Sequence, residues 1–183
     1  MNVLTTPLEG LLILEPAVHI DDRGYFFESY NKQTLEARSG YTTAFVQDNQ
    51  ARSVKNVLRG LHYQNLPVPQ AKLIRVLEGG IWDIAVDIRR NSKTYKQWFG
   101  IELTAENKKQ LLIPHGFAHG YAVLTDTAEV FYKCDNFYNK PTEGGFLYAD
   151  PEIGVDWKIN LTDAIISDKD LKQPLFKDAW NTF

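Results

Sequence analysis

Alternation of apolar and polar positions dominates this chain, and alternation predicts strands. From Ile81 to Arg89 the side chains of Trp82, Ile84, Val86 and Ile88 fall on one face and those of Asp83 and Asp87 on the other, a period of two that implies one dry and one wetter side. Leu73 to Leu77 is a short apolar, branched run and Tyr25 to Tyr30 is rich in aromatics. The Glu78-Gly79-Gly80 step predicts a tight hairpin, because paired glycines supply positive φ at low cost. Further short runs at Trp98 to Leu103, Gln110 to Ile113, Gly120 to Leu124 and Glu129 to Cys134 are punctuated by Asn91-Ser92, Pro114-His115-Gly116 and Thr125-Asp126. So many short strands predict a mainly β sandwich or barrel.

Helix is the minority element. Lys32 to Ser39 is expected to be helical, with Asn31 capping its start and Gly40 stopping it, and a second short helix is expected near Asp168 to Lys172. No linker, repeat or heptad interrupts the pattern, so residues 1–183 read as a single domain.

Composition narrows the class. The chain is 44% hydrophobic with 20 basic against 23 acidic side chains, a net charge of −3 that argues against nucleic acid as the main partner. It leaves room for a small anion, since a pocket needs only a few local cations. The single cysteine, Cys134, permits no intramolecular disulfide and fits a reducing cytoplasm. Leu11 to Leu14 is flanked by Glu9 and Glu15 without a preceding basic segment, so neither a signal peptide nor a membrane span is expected.

Candidate chemistry begins with the histidines. His62 lies in Arg59-Gly60-Leu61-His62-Tyr63-Gln64, and His115 and His119 lie in Ile113-Pro114-His115-Gly116-Phe117-Ala118-His119-Gly120. The second segment resembles the Pro-x-Gly-x-x-His half of the cupin barrel. The other half of a metal cupin needs a His-x-His pair, and here it reads His62-Tyr63-Gln64, so no metal is expected. His62 and His119 are the functional candidates, whereas His19 and His115 read as ordinary hydrogen-bonded residues. Lys72 and Arg75 interrupt an apolar run on opposite faces. An inward Lys72 would imply a bound anion or an oxyanion formed in reaction. Tyr132 shares its face with Val130 and Cys134 and points inward, as core or as acid.

The order of these pieces is more specific than any one of them. Asp22-Arg23-Gly24-Tyr25-Phe26-Phe27-Glu28, Gln47-Asp48-Asn49, Arg59 to Gln64, Lys72, Pro114 to His119, Tyr132, Tyr138, Glu143 and Ser167-Asp168-Lys169-Asp170 follow one another along the chain. The set closely resembles the dTDP-4-dehydrorhamnose 3,5-epimerases, metal-independent cupins of the dTDP-rhamnose pathway. The resemblance implies a cupin-type double-stranded β-helix, a jelly roll with a few short helices. It implies epimerisation of dTDP-4-dehydro-6-deoxy-D-glucose at carbons 3 and 5, next to the 4-keto group and without a cofactor. On the matching positions it makes His62 the general base, Asp170 the carboxylate behind it, Tyr132 the general acid and Lys72 the enolate-stabilising cation. Asp168 competes with Asp170 for the dyad role. Arg23, Arg59 and Lys169 match diphosphate and sugar contacts, Glu28, Gln47, Asp48, Asn49, His119 and Glu143 match polar contacts, and Tyr138 matches the ring that stacks on thymine.

A cytoplasmic homodimer is also implied, with Arg23 and Glu28 reaching the partner's pocket. Two other readings compete: an epimerase that inverts one centre only, and a silent or metal-dependent sugar-binding barrel. Strict alternation puts Arg59 and His62 on opposite faces, unless Gly60 hosts a bulge.

Overall fold

The computed structural model describes residues 1–42 and 44–183. In chain order its elements are β1 (Asn2–Thr5), β2 (Leu12–Glu15), β3 (His19–Asp21), β4 (Gly24–Phe26), α1 (Lys32–Ser39), β5 (Gln47–Val54), β6 (Val57–Gln64), β7 (Lys72–Glu78), β8 (Gly80–Asp87), β9 (Trp98–Thr104), β10 (Gln110–Ile113), β11 (Phe117–Val123), β12 (Thr127–Cys134), β13 (Glu143–Gly145), β14 (Ile165–Ile166) and α2 (Asp168–Leu171). Helix α1 starts and stops where its caps predict: the Asn31 side chain accepts from the Thr34 amide, and Gly40 closes the helix at φ 70°. Among the described residues no helix is long and apolar enough to cross a membrane.

Apart from the two-stranded β3–β4 hairpin, the strands form two open six-stranded sheets. One runs β1-β2-β10-β7-β12-β5, and the other runs β13-β6-β11-β8-β9 with β14 added parallel to β6. This is the mainly β, cupin-type jelly roll expected, built as facing sheets rather than a closed cylinder. The Gly79 turn departs from expectation. It has positive φ, but β7 and β8 belong to different sheets, so it carries the chain around a corner instead of closing a hairpin. The aromatic run from Tyr25 is strand only as far as Phe26, because β4 has just the three-residue β3 to pair with.

The main core lies between the sheets. Ile74, Val76, Leu111 and Val130 from one sheet meet Ile81, Ala85, Leu103, Tyr121 and Val123 from the other. A fully buried aliphatic side chain of this kind contributes about 1.5–3 kcal/mol. A second cluster covers the outer side of β6, β8 and β11, where Phe146, Ile153, Trp157 and Phe176 pack on Leu58, Leu61, Ile84, Val86 and Ile88. Strand β8 is therefore dry on both faces, and the wetter side expected for Asp83 and Asp87 does not exist: both are 0% exposed. Hydrogen bonds replace water. Asp87 accepts from Arg89, Ser92 and Thr94, and Asp83 pairs with His119.

Candidate active site

Strand β6 carries one extra residue against β11. His62 pairs with His119 and Arg59 with Tyr121, so three steps on β6 match two on β11. The surplus is accommodated at Gly60, whose φ is 119° and where a Cβ would sit 2.6 Å from the Gly120 Cα. This bulge brings Arg59 and His62 to the same side, and both line a cavity of about 500 Å³.

His62 is held from behind. Its Nε2 lies 2.6 Å from Asp170 Oδ1, while Asp170 Oδ2 accepts the Gly60 amide at 3.4 Å. Asp170 sits on α2, a single turn capped by the Ser167 hydroxyl, which accepts the Asp170 amide. Burial works to raise the Asp170 pKa, but the His62 bond and charge, the Gly60 amide and Ser167 outweigh it and hold the carboxyl below its ordinary range. An ionised carboxylate on Nε2 favours the tautomer protonated there and leaves Nδ1 as the ring nitrogen able to accept a proton. Asp168, the competing candidate, is exposed and does not line the cavity.

Lys72 and Tyr132 reach the cavity from the other sheet. A second space of about 210 Å³, lined by Gln47, Asn49, Gln64, Gln70, Tyr138 and Glu143 among others, shares His62, Lys72 and Tyr132 with the first. The Lys72 ammonium donates to Gln70 Oε1 at 2.8 Å. Burial pushes its pKa down, against the raising influence of Cys134, Asp135 and Glu143. Burial also dominates at Tyr132, with Cys134 and Tyr121 adding to it and Arg59 opposing, and pushes the phenol up to about 12. At neutral pH this tyrosine is a proton donor.

The remaining wall is polar. Arg59 donates from Nε and Nη2 to Ser53 Oγ at 3.2 and 3.1 Å. Lys169 reaches Glu143 at 2.5 Å, and the Tyr138 hydroxyl donates to the other oxygen of that carboxylate. Burial acts to raise the Glu143 pKa, but Lys169, Tyr138 and His62 lower it overall. Tyr138 is 54% exposed, open enough to receive a flat ring. His119 is buried and gives Nε2 to Asp83 at 2.7 Å, a second histidine-carboxylate pair on the cavity wall.

Three expected contacts lie elsewhere. Asp48 points away from its neighbours Gln47 and Asn49 and pairs with Lys133 at 2.9 Å. Arg23 has a 90% exposed side chain bonded to Asp21 in the β3–β4 hairpin, and Glu28 follows the hairpin and accepts from Asn31. Neither lines this chain's own cavity. Several lining residues went unread in the sequence. Tyr121 was findable, because it lies two positions after His119 and so shares its face, whereas nothing local marks Val57, Ile165, Ile166 or Gln70.

Known proteins resemble this chain in sequence and in fold. Residues 5–178 match the family model described as dTDP-4-dehydrorhamnose 3,5-epimerase. The dTDP-4-dehydrorhamnose 3,5-epimerase of Shigella flexneri is 49% identical over 179 residues, covering 98% of both chains. A crystal structure of the enzyme of that name from Elizabethkingia anophelis superposes with a TM-score of 0.94 at 50% identity over 97% of each chain. The dTDP-6-deoxy-D-glucose-3,5-epimerase of Legionella pneumophila, solved in complex with dTDP-4-keto-L-rhamnose, is similar at a TM-score of 0.93 and 44% identity, over 97% of this chain and 93% of that one.

Proposed function

Because the chain belongs to the dTDP-4-dehydrorhamnose 3,5-epimerase family, we propose that the cavity between its sheets is where a dTDP-4-keto-6-deoxysugar loses and regains the protons on carbons 3 and 5. The enzyme is an isomerase. It epimerises dTDP-4-dehydro-6-deoxy-D-glucose to dTDP-4-dehydro-L-rhamnose. The 4-keto group acidifies both neighbouring carbons and serves as the electron sink, so the protein needs a base, an acid on the opposite face and a charge beside the enolate oxygen.

The observation that carries the assignment is the placement of His62, backed by Asp170 of α2, on one sheet and of Tyr132 on the other, around shared space. His62 takes the proton at Nδ1, and Asp170 stabilises the imidazolium that results. Lys72 faces the enolate oxygen. At about 4 Å and an effective dielectric of about 20, its unit charge is worth roughly 4 kcal/mol. Tyr132 returns a proton from the other side, which inverts the centre. Arg59 and Lys169 hold the diphosphate, Tyr138 stacks on thymine, and Gln47, Asn49, His119 and Glu143 supply polar contacts. Incubating the 4-keto substrate with enzyme in deuterated water is expected to label carbons 3 and 5. Label on one carbon assigns a single-centre epimerase, and label on neither overturns the reading.

A homodimer completes the substrate site. Arg23 and Glu28 stand outside this chain's cavity beside exposed Ile20, Tyr25 and Phe26, a combination suited to insertion into a second copy. Light scattering is expected to give twice the chain mass, and Arg23→Ala to raise KM with little change in kcat. A cytoplasmic location suits both the nucleotide-sugar substrate and the lone, buried Cys134.

A further inference from the structure

The geometry points to Asp135 as a positioning residue for Lys72: its carboxylate ties together the three chain segments from which the Lys72 ammonium is presented. Asp135 follows the last residue of β12, and its side chain is 2% exposed. Oδ1 accepts the amide of Ala71, the residue before Lys72, at 2.7 Å. Oδ2 meets His115 Nε2 at 2.7 Å, in the turn that follows β10. Lys72 itself pairs in register with Cys134 on β12 and Ile113 on β10. The strand that carries the lysine and both its neighbours therefore end at one buried carboxylate.

The next residues repeat the tie. Gln70, which accepts from the Lys72 ammonium, donates its own side-chain amide to the Asn136 carbonyl at 2.8 Å, and the Asn136 amide reaches Pro69 O. A lysine side chain has several rotatable bonds, and an ammonium that serves an enolate must be placed to within a fraction of an ångström. Fixing residues 69–72 against residues 134–136 supplies the anchored end of that side chain. The second contribution is charge. Lys72 is desolvated, and Asp135 is one of the groups, with Cys134 and Glu143, that favour its protonated form; His62, Tyr132 and Lys169 line the same space. His115 is thereby more than an ordinary turn histidine: it is the exposed partner of the carboxylate that holds the residue before the lysine.

This proposal rests on Lys72 being the enolate-stabilising cation, and the two fail separately. The reactivity of Lys72 toward acetic anhydride, followed by mass spectrometry across pH, reports its protonation without reference to turnover. In Asp135→Asn the Lys72 titration is expected to move about one pH unit lower, the alkaline limb of kcat to move with it, and kcat to fall about tenfold or more with KM little changed. Asp135→Glu, which restores the charge but displaces it, is expected to recover the titration and not the rate. A Lys72 titration and alkaline limb identical to the wild type in Asp135→Asn overturn the proposal. Should that variant not fold, His115→Ala tests the same tie from a 40% exposed position: kcat is expected to fall at least threefold at unchanged KM, and an unchanged kcat overturns it. An active Lys72→Gln would instead overturn the assignment of Lys72.

Discussion

His62 and Tyr132 stand on different sheets and line the same two cavities. With His62 as the proposed base and Tyr132 as the proposed acid, this placement approaches a ring from opposite faces, which is what inversion of a stereocentre requires. Retention would follow if one group both took and returned the proton.

Removing the base is the direct test. His62→Ala is expected to lower kcat by about 10²–10⁴-fold and to remove solvent deuterium exchange at both carbons, since general base catalysis contributes on that scale. Binding of dTDP, measured by calorimetry, is expected to survive, because Arg59, Lys169 and Tyr138 are untouched.

Tyr132→Phe separates the two half-reactions. With His62 intact, proton abstraction continues and deuterium still enters recovered substrate, while formation of inverted product falls by about 10²–10⁴-fold. The Tyr132 pKa near 12 adds a pH statement: no loss of the proton donor is expected in rate profiles taken through neutral and mildly alkaline pH. Loss of exchange together with inversion would contradict the division of labour.

Lys72→Met keeps the length and removes the charge. Turnover is expected to fall by about 10²–10³-fold, the scale of losing one stabilising donor at a developing oxyanion. The KM for substrate is expected to move far less than kcat, because the enolate exists only along the reaction path.

Asp170 links the site to stability. Its carboxyl is held below the ordinary value of 3.8, so its ionised form favours the folded state. That contribution is complete above the unfolded value and is lost as pH falls through the depressed folded one. Asp170→Asn is therefore expected to flatten the acid side of the stability profile in denaturant titrations at descending pH. It is also expected to slow turnover at neutral pH, where the imidazole would lack its carboxylate. An acid profile unchanged from the wild type would show that the carboxylate is not coupled to folding.

Gly120→Ala tests the close passage of β6 and β11. A Cβ there would lie 2.7 Å from the Arg59 carbonyl and 2.9 Å from the Trp157 ring. Overpacking of this kind costs about 1–3 kcal/mol, and about 2 kcal/mol corresponds to a Tm lower by about 4–8 °C in a chain of this size.

Local pattern carried much of this architecture and stopped at identifiable points. Helix α1 was legible to the residue because its caps are chemically unambiguous. The opposite orientations of Lys72 and Arg75 follow from strand alternation, and Arg75 does lie elsewhere, over the rings of Phe27 and Phe131. Alternation also separates Asp48 from Gln47 and Asn49, although a matching tripeptide invites treating them together. The pairing of Arg59 with His62 was not legible, because it depends on an inserted residue in one strand of a pair. Strand β5 was missed, since its face toward the cavity is polar and its sequence, Gln47 to Val54, lacks the apolar half of the pattern. Asp83 misled for a tertiary reason: the side of β8 that reads as wet is covered by the opposite sheet, and a histidine takes the place of solvent.

The dyad joins residues 108 positions apart, and its carboxylate arrives on α2, after every strand of both sheets. Synthesis runs from the N-terminus, and domains begin to fold as they emerge. A growing chain can thus complete its strands while His62 still has no carboxylate and the cavity still lacks the wall that Ser167, Lys169 and Asp170 supply. The His62–Asp170 pair is therefore assembled last, once both sheets that hold His62 and Tyr132 are complete.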